Sequence, residues 1–181
     1  MPVSAAVLAL ALAGPAAAEP TEAAAPAAPA AAHPMHGRWE LVGSQAAVQA
    51  KLDRAVEDAA SQLNILIREF GRMKLRTATG LCRVYAFAVT DTSWSLQCDG
   101  KKPYARPHTG IHNTTDADGD PLRSQLALSA GGAHLTWLGE SGARHNVFSV
   151  DGDRLALQAR VESESLERPM KWQLEYRRLA E

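Results

Sequence analysis

His108 and His112 stand four residues apart and lead into Asp116, Asp118 and Asp120, imidazoles and carboxylates of the kind that hold divalent cations. The acidic run is similar to the start of a calcium loop, in which alternate oxygens face one ion. Gly119 and Pro121 are out of place for such a loop, and Ala127 stands where a bidentate Glu is needed. A plain turn accounts for the run. His33 and His36 form a second pair with nothing nearby to complete a ligand set. His134 and His145 fall on neighbouring strands, where each either sits on the surface or lines a pocket. A lone His can ligate haem iron in a barrel, but no second feature accompanies it here. No metal and no cofactor are expected.

Nor does the chain hold a nucleophile elbow or an Asp–His pair tied to a defined turn, and its paired acids fall at turns or on a helix. No catalytic residue is expected, and the protein reads as a non-enzyme. Cys82 and Cys98, 16 positions apart, suit an oxidising compartment and are expected to pair. A two-residue turn at Thr90-Asp91 would set Cys82 opposite Asp99, so pairing needs a bulge or a different loop. Two buried thiols are the other reading. Arg68, Arg72, Lys74 and Arg76 are interleaved with Phe70, Met73 and Leu75, which reads as a solvated helix face rather than a membrane-facing one.

The elements that must position these groups begin after a leader. Residues 1–18 carry the apolar run Ser4 to Leu12 and end in Ala16-Ala17-Ala18, a signal-peptide pattern that lacks only a preceding Lys or Arg. The run is short for a bilayer span, and with no Cys at its end a lipoprotein anchor is not supported. Residues 19–35, almost all Ala and Pro, are expected to be a disordered linker, and residues 36–181 a single domain. The 181-residue chain is 46% hydrophobic with a net charge of −1, enough for one core and without the basic excess of a nucleic-acid binder. A periplasmic or secreted location follows, with no nucleic-acid partner and no membrane contact expected.

Gly37 to Leu41 reads as a first strand, and Gly43-Ser44 as a stop followed by a helix N-cap. Val48, Leu52, Val56, Ala59, Leu63, Leu66 or Ile67, and Phe70 recur at helical spacing. An unbroken helix from Ser44 to Phe70 would reach about 40 Å, so a break near Ser61 to Asn64 is expected, with Gly71 as the cap. From Leu81 the period becomes two: Leu81–Val89, Ser93–Cys98, Tyr104–Thr109, Arg123–Ser129, His134–Leu138, Arg144–Val150, Arg154–Val161 and Met170–Arg178 read as strands separated by turn pairs such as Asp99-Gly100 and Asp151-Gly152. The fold class is mainly β: an antiparallel up-and-down barrel with a helical insertion between the first two strands. Closure removes the exposed edges that an open sheet would leave.

Gly37-x-Trp39 at the start of such a meander, with Arg178 on the last strand, resembles the calycins, the group of lipocalins and intracellular fatty-acid-binding proteins, here as an exported bacterial protein. The resemblance implies that Trp39 sits at the closed end and that Arg178, which shares a face with Trp172 and Tyr176, stacks on it. The early helical segment looks like the lid of the fatty-acid-binding proteins. Their Arg-x-Tyr pair on the last strand is replaced by Tyr176-Arg177-Arg178. The implied function is an exported carrier of a small apolar or amphipathic ligand, lined by Trp94, Trp137, Phe148, Leu157 and Tyr176, with Arg178 as anchor or polar contact. A filled structural barrel and a partner-binding module similar to the periplasmic protease inhibitors are the alternative readings.

Overall fold

Ten strands and two helices account for the regular structure in the computed structural model, which describes residues 32–115 and 119–180. Residues 1–31, together with Asp116 and Asp118, lie outside the described residues. Strand β1 (Gly37–Leu41) is followed by α1 (Gln45–Ala60) and α2 (Arg68–Thr79), then by β2 (Val84–Val89), β3 (Ser93–Cys98), β4 (Tyr104–Pro107), β5 (Ile111–Thr115), β6 (Pro121–Ser129), β7 (Gly132–Leu138), β8 (Gly142–Asp151), β9 (Arg154–Ser163) and β10 (Met170–Arg178). All pairings are antiparallel, in the order β4-β3-β2-β1-β10-β9-β8-β7-β6-β5. First and last strands are therefore neighbours, with Trp39 opposite Arg178. The sheet ends at β4 and β5, and the Tyr104 hydroxyl bridges that seam to the buried Ser124 hydroxyl on β6. The barrel is nearly closed.

The helical pair departs from its expected bounds. Ser44 caps α1, its hydroxyl accepting from the Ala47 amide at 3.2 Å, and the chain breaks after Ala60 as the spacing predicts. The second helix runs on past Phe70 to Thr79 and ends at Gly80, while Gly71 lies inside it. Gly71 serves close approach instead: a Cβ there would run into the Leu63 side chain. Arg72 and Arg76 reach back to the Glu57 carboxylate at 2.9 and 3.4 Å, tying α2 to α1. Among the described residues, no helix is long and apolar enough to cross a membrane.

A second departure is β5, which lies between the expected strands Tyr104–Thr109 and Arg123–Ser129 and places His112 opposite Ser124. Its apolar residue, Ile111, is exposed and its inward positions are His112 and Thr114, so hydropathy alternation carries no signal there. The β2–β3 connection is also not the two-residue turn. Val89 pairs with Trp94, and the Thr90 amide donates to the Ser93 carbonyl across the three-residue connection. Cys82 precedes the regular part of β2. Asp99, with φ of 50°, curls the end of β3 so that its carboxylate accepts the Arg83 and Val84 amides. This irregular end brings the Cys82 and Cys98 Cα atoms to 5.4 Å, and the disulfide closes. Breaking it with Cys82→Ser plus Cys98→Ser is expected to lower the unfolding free energy by about 3 kcal/mol, the entropy of a loop of this length. Urea unfolding of the double variant beside the parent checks it.

Side chains fill the half of the barrel nearer the β1–β10 junction. Phe148 packs edge-on against Tyr85 and Phe87, with ring centroids 5.8 and 5.2 Å apart, and Tyr85 lies 5.1 Å from Tyr176. Burial holds both the Tyr85 and the Tyr176 phenols above the usual tyrosine range, so they remain neutral. At the end of this core the Arg178 guanidinium lies 4.2 Å from the Trp39 ring and donates to the carbonyls of His36 and Pro34 at 2.7 and 2.6 Å. The Trp39 indole N–H donates to the Met35 carbonyl at 2.9 Å. Gly37, with φ of 115°, adopts a conformation that favours glycine, and an added Cβ would press on Arg178 at 3.1 Å. Met35 is itself buried, so the last residues of the segment assigned to the linker fold over the closed end.

Candidate ligand cavity

At the opposite end, where α2 lies over the strand turns, a cavity of about 1180 Å³ opens between the helix and the barrel rim. Ile67, Phe70 and Leu75 face it from the helical side, and Leu122, Trp137 and Leu166 from the barrel side. Its volume lies somewhat above that of ordinary small-molecule sites, about 300–1,000 Å³. The buried Phe148, Leu135 and Leu126 do not border it, so the space lies under the lid.

Lys74, Lys102, Arg144 and Glu162 border it, and of these Arg144 is set into the barrel wall. Strand β8 alternates so that Asn146 and Phe148 are buried while Val147 and Ser149 are exposed, which turns Arg144 inward, about 7 Å along the strand from Gly142 at the rim. Its guanidinium lies 5.4 Å from the Trp137 ring and 5.6 Å from the Trp172 ring. The Arg144 Nε–H donates to the buried Asn146 side-chain oxygen at 3.1 Å. Arg144 is half-buried, part of it bordering the cavity, and the surrounding protein desolvates it enough to lower its pKa, opposed by Tyr85 and Tyr176.

No carboxylate pairs with Arg144 among the described residues. A desolvated cation without a counter-charge is costly, and two indole contacts at ~0.5–2 kcal/mol each offset only part of that cost. The terminal N–H groups remain available as a planar fork that matches a carboxylate or phosphate. Geometry and charge together suit an amphipathic anion with its head at Arg144 and its apolar body under α2.

The residues named from sequence are distributed differently. Trp137 borders the cavity, whereas Trp94, Phe148, Leu157 and Tyr176 lie in the packed core. Arg178 belongs to the closed end with Gly37 and Trp39. The signal for Arg144 was present: it shares the β8 face with Asn146, Phe148 and Val150, a cation at the end of a largely apolar face. Of the basic segment, Arg72 and Arg76 are held by Glu57, and Arg68 donates to the Leu63 carbonyl at 3.2 Å. These groups pin the lid. At the cavity mouth Phe70 is 61% exposed, and in the loop just before α2 Leu66 is 90% exposed.

Among the described residues no group of three or more His, Cys, Asp or Glu side chains is placed to hold a metal ion. His108 contacts the Ser93 carbonyl at 2.6 Å and His33 the Ser129 carbonyl at 2.9 Å. His36 Nδ1 accepts the Val89 amide at 3.2 Å.

Fold and strand order define a class: a nearly closed ten-strand barrel with two helices between the first two strands, the fold of the fatty-acid-binding proteins. Among solved structures the chain is similar to the REP1-NXSQ fatty acid transporter, at 13% identity and a TM-score of 0.53 over 81% of this chain and 97% of that one. It is similar to the fatty-acid-binding protein of Manduca sexta, at 14% identity and a TM-score of 0.53 over 79% and 98%. Echinococcus granulosus fatty-acid-binding protein 1 matches at 12% identity and a TM-score of 0.51, over 81% and 98%. At these identities the likeness establishes the fold alone. No protein-family model and no curated protein sequence matches the chain.

Proposed function

We propose that this protein is a non-enzymatic carrier of an amphipathic anion, held in the cavity beneath α2 with its charged head at Arg144. The observation that carries the reading is a desolvated guanidinium at the cavity wall, stacked on two indoles and lacking a carboxylate partner. The fatty-acid carriers among its structural neighbours support a lipid-like cargo. The Cys82–Cys98 disulfide and the leader pattern of residues 1–18 support export to the periplasm or beyond.

Native mass spectrometry of the purified protein, before and after organic extraction, tests the reading. A bound species of lipid-like mass that extraction removes is the expected result. An empty protein that also takes up no apolar carboxylate probe contradicts it, and the partner-binding alternative then becomes the better account.

A further inference from the structure

The outer face of the barrel carries a pair of imidazoles that the cavity does not use. His134 on β7 and His145 on β8 lie on adjacent antiparallel strands, where the register sets His134 opposite Val147 and Thr136 opposite His145. The two histidines are thus diagonal neighbours on one face, with Thr136 between them. Their ring centroids are 5.5 Å apart. His134 Nε2 lies 3.3 Å and His145 Nδ1 lies 3.2 Å from the same Thr136 hydroxyl oxygen. One nitrogen from each ring therefore points at a common place. We propose that His134 and His145 form a binding site for a late first-row divalent metal ion, of which Zn²⁺ is the probe, with Glu162 orienting the His145 ring.

A hydroxyl both donates and accepts, so at rest Thr136 meets one ring through its hydrogen and the other through its oxygen. Both nitrogens offer lone pairs only when each ring carries its proton on its other nitrogen. A divalent ion accepts both. Small ring rotations, with the hydroxyl turning aside, bring the nitrogens to the ~2.0–2.1 Å of a zinc–imidazole bond. The remaining ring nitrogen of His145 faces the Glu162 carboxylate at 3.9 Å. A carboxylate there favours the proton on Nε2 and leaves Nδ1 as the ligating atom, the outer-shell arrangement common to metal-bound histidines. Imidazole ligands select zinc, copper and nickel over calcium and magnesium.

The pair borders an open groove of about 830 Å³ that also contains Lys51 and Arg160, so water can complete the coordination. Of the three cations that line it, Lys51 binds the Gln173 carbonyl at 2.7 Å and Arg160 pairs with Glu162, and the third is Lys171. Neither histidine borders the lid cavity, although Glu162 borders both the cavity and the groove.

The test is a Zn²⁺ titration of the full chain, followed by calorimetry and by NMR of the ring protons of its six histidines. The expected result is one ion bound, with the His134 and His145 signals shifting together. His134→Ala and His145→Ala should each abolish binding, and Glu162→Gln should weaken it about tenfold. These side chains are on the outer face, so the variants should keep the parent's unfolding transition. Failure to take up Zn²⁺ would overturn the proposal, as would shifts confined to the other four histidines, or binding that survives both alanine variants.

Discussion

Trp39→Ala is expected to lower the unfolding free energy by about 3–5 kcal/mol, the range for removing a buried aromatic side chain. Trp39 is 0% exposed, and three separate consequences follow from its loss. The packed end acquires a void. The Met35 carbonyl loses its indole donor, and Arg178 loses the ring beneath it while remaining bound to the His36 and Pro34 carbonyls. Arg178→Met should cost less, because an apolar side chain of similar length preserves contact with the ring while the charge-assisted bonds disappear. Urea unfolding reads both variants. A Trp39→Ala loss below about 1 kcal/mol would mean that this end of the barrel is not closed as described. Cargo affinity should be unaffected while the variant is folded, since the cavity lies at the other end and distant sites act independently.

Arg144→Met is expected to separate stability from function. Hydrogen bonds to a charged group contribute about 1.5–3 kcal/mol, so affinity for an amphipathic carboxylate should fall about tenfold to a hundredfold. Affinity for an uncharged molecule of the same chain length should hold or improve. Stability should change little, because the relief of replacing a desolvated cation that has no protein counter-charge is offset by the buried Asn146 oxygen losing its donor. A uniform loss of affinity for charged and neutral ligands would instead assign Arg144 a packing role. Fluorescence displacement with the two ligand types, paired with thermal unfolding, distinguishes these outcomes.

Much of the barrel was legible because alternation is strong where one strand face is buried. Ser93–Cys98 and Met170–Arg178 emerge with the same bounds as the strands, and Gly37, Trp39 and Arg178 come together as the resemblance implies. The helix break after Ala60 followed from length alone. Where hydropathy is silent, reading fails: β5 has its apolar residue outside, and α2 continues beyond Phe70 on ion pairs to Glu57. The cavity was the least legible part. Alternation reports that Trp94, Phe148, Leu157 and Tyr176 face inward, and all four do. Whether inward means packed core or cavity wall depends on how far neighbouring rings fill the interior. That depends on three-dimensional contacts such as those of Phe148 with Tyr85 and Phe87. Arg144 is hard to read from sequence for a related reason, since a cation at the first inward position of a strand looks like the end of the apolar pattern.

The most direct test of the carrier reading is calorimetric titration of the extracted protein with a saturated medium-chain carboxylate and, separately, the alcohol of the same chain length. Saturable binding of the carboxylate, tighter than the alcohol in the parent and equal to it in Arg144→Met, is the predicted result. Absence of binding by either molecule, or a carboxylate preference that survives Arg144→Met, would contradict it.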